Sequence, residues 1–460
     1  MKDLTKYSKC AVFFANHSEK DPCNYKKIYY KEAHIMNVIS QAKQTLFHQI
    51  RDLEKDRELY LSNPKSDFTR IRKLDFLKMI RIFLSMEAGS INQELLTYFN
   101  YKKYVTDSAF CQQRNKIKPV FFRNLFLTHA ESLKKTKTYK DYQLLACDGS
   151  TLRTPIASKD PKYLCQGKSA SRGTGYLHLT ALYDVLNQYY VDADILPDRK
   201  HNEKLSLIKM LQGLEKGKKT ILIADRGFES YNVMAHVNSA GHFYLIRIKD
   251  NSPGGFMHFL DTPDKQEFDV QYKRKFVRNY SRKYLQRNDT HISIRHKYEM
   301  DFFTPERGEY EMDFRIVRTK IAEDSYECLV TNLPKDEFSA EDLKELYNLR
   351  WGIETSFRDL KYSLNLNHFH GKKEESVIQE IYARMIMFNF CKSIITKLNT
   401  HLIHKKYEYR INFKITVPIL QNCLRTESPP FSETIKLLIG NVSPVRPGRK
   451  FERKIPKTLE

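Results

Sequence analysis

Residues 219–228 read KTILIADRGF. An apolar run ends on Asp225, and Arg226, Gly227 and Phe228 follow at once. A short apolar run bounded by turn-type residues reads as a buried strand. Residues 142–150, YQLLACDGS, repeat the design, with the run ending on Asp148. Between these two stretches YLHLTALYDV and QYYVDADILP read as two strands, and the polar stretch DRKHNEK leads into a helix, LSLIKMLQGL. Behind Asp225 come a helix, ESYNVMAHVNSA, and a closing strand, HFYLIRI. The order strand, strand, strand, helix, strand, helix, strand predicts an α/β fold, a mixed sheet covered by helices. Ligands of such sheets gather at the carboxyl ends of strands. If the strands of Asp148 and Asp225 are parallel neighbours, their carboxylates converge.

A third acid stands on a later stretch, YNLRWGIETSFRDLK, residues 347–361. On one helix at about 100° per residue, with Tyr347 at zero, Arg350 falls near about 300°, Glu354 about 340° and Lys361 about 320°. Leu346, Ile353, Phe357 and Leu364 form a neighbouring apolar stripe. A carboxylate flanked by two cations and a phenol thus edges a buried face. The plainer alternative is a solvated Arg–Glu pair at i,i+4. Likewise Asp148 is a turn residue and Asp225 a helix cap on the plain reading. Together, the three carboxylates repel one another unless cations intervene. Oxygen-only ligands favour Mg²⁺ or Mn²⁺ over zinc, and two such ions suit in-line displacement at a phosphodiester.

Composition agrees with a polyanionic partner. Lys and Arg number 78 against 55 Asp and Glu, a net charge of +23 over 460 residues. The longest apolar candidate for a membrane span, IYARMIMFNFCKSII, contains Arg384 and Lys392. The start, MKDLTKYSKCAVFF, lacks a signal-peptide layout. Nucleic acid is therefore the expected partner, with no membrane, and the cytoplasm the expected compartment. The eight cysteines show no C-x-x-C pair and read as buried thiols, Cys147 among them.

The chain divides into five expected stretches. Residues 1–140 are a helical DNA-binding region, in which Ser90 and Gln93 suit a capping box. There Gln112, Arg114 and Lys116 on a polar helix are candidates to face DNA, as in a helix-turn-helix, against a plain helical hairpin with a solvated face. Residues 141–249 and 338–400 are two parts of a catalytic core. Between them, 250–337 alternates as an antiparallel β-rich insertion with a basic exposed face. Ser339 is the expected cap of the helix bearing Glu354, and 374–400 a long amphipathic helix. Residues 401–460 hold a helical segment and a basic tail. His201 and Glu203, in DRKHNEK, are candidates to support the metal ligands from behind, against a solvated loop.

Tyr347, Arg350, Glu354 and Lys361 resemble the Tyr-x2-Arg-x3-Glu-x6-Lys signature of bacterial insertion-sequence DDE transposases of the insertion-sequence-4-like (YREK) branch. Asp225-Arg226-Gly227-Phe228 resembles that branch's second-aspartate motif, and Asp148-Gly149-Ser150 its first. The resemblance covers roughly 141–365, insertion included. It implies an RNase H-like sheet with helices on both faces and an Asp148, Asp225, Glu354 triad. It implies cut-and-paste transposition through hairpin ends. It implies a homodimer on two terminal inverted repeats, nucleoid-associated, that also takes target DNA. Tyr347, Arg350, Lys361 and Arg226 would contact DNA. Trp351, off the main strip, is weighed between holding a flipped base and packing. Competing readings are a metal-dependent nuclease or resolvase on the same core, and a non-catalytic DNA-binding repressor.

Overall fold

In the computed structural model, residues 32–445 are described apart from 71, 103–104, 134–136, 157–160, 164–174, 216, 251–255, 279–289, 294–299, 304–307, 324, 400–407 and 427–430. The basic tail beyond residue 445 lies outside the described residues.

Five strands follow the order expected: β1 (Gln143–Thr154), β2 (Gly175–Asp184), β3 (Tyr189–Pro197), β4 (Thr220–Ala224) and β5 (Phe243–Ile248). The insertion adds β6 (Phe268–Val277), β7 (His291–Ser293), β8 (Glu309–Ala322) and β9 (Ser325–Thr331). All nine make one sheet in the order β3-β2-β1-β4-β5-β9-β8-β6-β7. β1, β2 and β3 form an antiparallel meander, and β4 and β5 run parallel to β1. The inserted strands extend this sheet by pairing β9 with β5, rather than standing apart. One detail departs from an all-antiparallel insertion: β7 pairs parallel with β6.

Period-two alternation sorts the side chains onto two covered faces. Leu145, Cys147, Leu222, Ala224 and Ile246 pack with α6 (Glu203–Leu211) and α7 (Tyr231–Ser239). Leu144, Ile221, Ile223 and Leu245 face the other way, onto Leu343 and Leu346 of α8 (Ala340–Leu349). Ala146 shares that side's cluster with Ile353, Phe357 and Leu360 of α9 (Trp351–Tyr362). Ser339 caps α8 in a capping box with Asp342.

The single helix expected across Tyr347–Lys361 is two. At Arg350 the ladder tightens, with Arg350 N–H donating to Tyr347 O and Ile353 N–H to Arg350 O. Such i→i−3 bonds mark a local 3₁₀ turn. β1 also corrects an expectation. It does not stop at Asp148 in a turn but runs on to Thr154, paired with β2.

The helical start includes α1 (Glu32–Lys55), α2 (Phe76–Ser85), α3 (Ile91–Tyr98), α4 (Asp107–Arg114) and α5 (Pro119–Ser132). Ser90 and Gln93 form the expected capping box on α3. These helices are not a self-contained unit. Their apolar residues share one core with α10 (Glu374–Asn399) and with two C-terminal helices, α11 (Phe413–Arg425) and α12 (Phe431–Gly440). The amphipathic reading of α10 fails for that reason: every residue from Ile381 to Cys391 is buried. Its polar groups are matched instead. Asn389 pairs its amide with both backbone groups of Tyr190, at 2.8 Å each, finishing the edge strand β3. Glu380 receives Arg114 at 2.8 Å and His370 at 3.2 Å.

That contact removes Arg114 from the DNA-facing set. The side chain is 2% exposed, donates also to Ser376 O, and lies 5.1 Å from the Phe83 ring centroid. Gln112, two residues earlier, is exposed; Lys116 is half-buried, 3.7 Å from Asp67.

Removing one member of a buried ion pair strands the other, at a cost of about 3–5 kcal/mol. Arg114→Ala should therefore lower unfolding free energy by that order in urea titration, while Gln112→Ala stays within about 0.5 kcal/mol. An Arg114→Ala protein of unchanged stability that no longer binds DNA would restore the DNA-facing assignment.

Candidate active site

Parallel pairing sets Cys147 opposite Ala224, so Asp148 and Asp225 are the next residues of two adjacent strands. Asp148 shares the face of Leu144 and Ala146, the face α9 covers, and α9 carries Glu354. Each carboxylate has one oxygen tied by an N–H donor. Gly149 N–H donates to Asp148 Oδ1 at 2.8 Å, and Gly227 N–H to Asp225 Oδ1 at 2.8 Å. Arg350 reaches Glu354 Oε1 at 2.9 Å. Asp225 thus caps the 3₁₀ turn Arg226–Phe228 as the plain reading had it, with its second oxygen still to use.

The electrostatics join these residues. Burial pushes the Asp148 carboxyl up to about 6; the Gly149 N–H and Arg350 oppose the rise, while Asp225 and Glu354 add to it. Asp148 therefore lies within the field of both other acids and of Arg350. Burial opposes charge on Arg350, but Tyr347, Glu354 and Asp148 outweigh it and raise its pKa. Three carboxylates against one guanidinium leave a local excess of negative charge. Hard oxygen donors, each anchored through one atom, fit a divalent cation of the Mg²⁺ class. The three are not drawn into a tight cluster. Among the described residues, three ligand atoms within 4.8 Å of one another occur at His178, Asp198 and His201.

The other expected residues separate. Arg350 is 6% exposed, its guanidinium 5.5 Å from the Tyr347 ring and 5.2 Å from the Trp351 ring. Tyr347 is 3% exposed and its hydroxyl is buried without a hydrogen-bond partner. It backs Arg350 instead of facing a surface, which corrects its place among surface contacts. Lys361 is half-buried and donates to Thr151 O of β1 at 3.3 Å; burial lowers its pKa. Arg226 is exposed beside Asp225. Trp351 is 43% exposed, with the Arg350 guanidinium over its ring.

Glu203 is no solvated loop residue. It opens α6 and takes His178 Nε2 on Oε1 at 2.8 Å; that bond first, with burial opposing, holds it below the usual carboxylate range. His201 stacks on His178 at 3.9 Å and 13° and bonds the Asp198 carbonyl. Sequence reasoning missed His178, because YLHLTAL reads as a plain strand. It also missed why Gly149 is glycine. A Cβ there would meet Glu203 Oε1 at 1.9 Å and His178 Nε2 at 2.4 Å.

A raised carboxyl pKa costs stability as pH climbs from its ordinary value of 3.8 through about 6, and the cost is complete above that. A divalent cation offsets it by favouring the ionised form. Mg²⁺ should therefore raise the melting temperature more at about pH 7.5 than at about pH 5, with Asp148→Asn abolishing the difference. Equal gains at both pH values would contradict metal binding at Asp148.

A transposase DDE domain family matches residues 139–390. The transposase of insertion sequence IS231B from Bacillus thuringiensis subsp. berliner is 22% identical over 336 residues, covering 65% of this chain and 68% of the relative. The putative transposase InsL of IS186A from Escherichia coli (strain K12) is 37% identical over 73 residues, 16% of this chain and 20% of that protein. A cryo-EM structure of the piggyBac transposase synaptic complex with hairpin DNA aligns over 92% of this chain and 87% of that one, at 9% identity and TM-score 0.45. With the family match spanning more than half its length, the chain belongs to the DDE transposases: it is an insertion-sequence DNA transposase, a metal-dependent enzyme of DNA cleavage and strand transfer.

Proposed function

We propose that the chain moves an insertion sequence by cut-and-paste through hairpin ends, as a member of the insertion-sequence-4-like, YREK branch with an RNase H-like core. The observation that carries this reading is the pairing of Cys147 with Ala224, after which Asp148 and Asp225 follow on adjacent strands. The β3-β2-β1-β4-β5 order and an insertion ahead of Glu354 support it. Asp148, Asp225 and Glu354 would hold Mg²⁺ or Mn²⁺, two ions in all. When bound, the metal supplies a nucleophilic oxygen and stabilises the leaving oxygen. Arg350, held against Tyr347, balances charge beside the scissile phosphate. Lys361, beside β1, and the exposed Arg226 bind flanking phosphates, with Gln112 and Lys116 further out on the helical region. Trp351, 43% exposed on the helix that carries Glu354, is a candidate to hold a flipped base. The partners are terminal inverted repeats and target DNA in the bacterial nucleoid. No described helix is long and apolar enough to cross a membrane.

Asp148→Asn, Asp225→Asn or Glu354→Gln should each abolish cleavage of end DNA while leaving its binding intact. Near-wild-type cleavage by Glu354→Gln would reject its role. Lys361→Ala should lower the salt slope of binding by about one unit for its lost phosphate contact. A pre-cut 3′-hydroxyl end should be joined to target DNA; cutting without joining would favour the nuclease reading.

A homodimer on two ends follows from the same reading. A chain of charge +23 repels its copies until DNA neutralises it. Light scattering should show monomer alone and a two-protein, two-end complex with DNA; one protein per end throughout would exclude it.

A further inference from the structure

Glu203 reaches the glycines of both aspartate motifs. It enters from the α6 face, opposite the face Asp148 takes. The absent side chain of Gly149 leaves the space that Glu203 Oε1 fills, 1.9 Å from where a Cβ would stand. Its other oxygen, Oε2, lies 3.6 Å from the Cβ position of Gly227, and Gly227 is the residue whose N–H holds Asp225. One carboxylate therefore lies beside the glycine of both aspartate motifs.

We propose that Glu203 is a fourth carboxylate of the metal site, oriented by His178; this rests on the metal-dependent reading above. Glu203 repeats the arrangement of the other three: one oxygen tied to an N–H donor, here His178 Nε2 at 2.8 Å, and one left over. His178 satisfies one oxygen only, so the second, 3.6 Å from the Gly227 Cβ position, is left as a hard anionic donor beside the turn that holds Asp225.

His178 is built to aim this carboxylate. It is 6% exposed, sits opposite Thr151 in the β1–β2 register, and turns Nδ1 to the Thr151 hydroxyl at 3.4 Å. His201 covers its ring face to face. The same stacking argues against a separate ion at His178, Asp198 and His201, although their ligand atoms lie within 4.8 Å. An imidazole binds metal in its ring plane, and two rings 13° from parallel at 3.9 Å present parallel, not convergent, lone pairs. The stack is a positioning device.

The test uses the full chain with Mn²⁺ as the probe. Glu203→Gln keeps the bond to His178 and removes the charge. Calorimetry should show Mn²⁺ affinity reduced by about 10–100-fold, with metal-free binding of end DNA unchanged. Unchanged Mn²⁺ affinity in a folded Glu203→Gln protein would overturn the proposal. A second measurement needs no variant. Fe²⁺ with ascorbate and peroxide cuts the backbone around a bound metal, and wild-type chain should be cut around residue 203 as well as 148 and 225. Cuts at 148 and 225 without 203 would overturn the role of Glu203 alone. Absence of cuts at all three would overturn it together with the metal reading.

Discussion

The pairing of β1 with β4 is the constraint on which the site depends. Five consecutive parallel pairs, from Gln143 with Thr220 to Cys147 with Ala224, fix the level at which both strands deliver an aspartate. Strand register is held by the buried alternation on both faces, since a slip of one residue exchanges inward and outward side chains. Such a slip would send Asp148 toward α6 and drive Cys147, fully buried among apolar residues, toward α9. The two faces thus enforce one register, and that register enforces the carboxylate pair.

Around the pair, charge is managed by position rather than by number. The chain carries a large positive excess, yet the site keeps three carboxylates and one close guanidinium. Tyr347 and Trp351 flank Arg350, so its charge stays directed at Glu354 and Asp148. Farther away, α10 provides the fixed frame. Its Asn389 finishes β3, and Tyr190 on that strand bonds Ser356 of α9 at 2.8 Å. The helix bearing Glu354 is thereby tied to the same edge of the sheet. Glu380 of α10 anchors α4 through Arg114. His370, where burial is overcome by Glu380 and Glu94, is pushed up to about 9 and stays charged in this network.

Much of this is legible in the sequence because it is local. Strand order, the caps at Ser90 and Ser339, and the apolar stripe of Leu346, Ile353 and Phe357 all follow from short-range pattern. What stayed hidden depends on partners far along the chain. Arg114 looks solvated until Glu380, 266 residues away, is placed against it. α10 looks one-sided until two groups of helices cover it. Asp148-Gly149-Ser150 has the composition of a turn, and only the approach of Glu203 and His178 explains a glycine inside a continuing strand. The break at Arg350 is invisible to periodicity, because one tightened turn barely shifts the helical phase.

Anomalous diffraction from crystals of the full chain soaked in Mn²⁺ locates the metal against these carboxylates. Manganese peaks are expected between the carboxylates of Asp148 and Asp225, with Glu354 turned toward them. Manganese bound instead among His178, Asp198 and His201, with none between the aspartates, would contradict that placement.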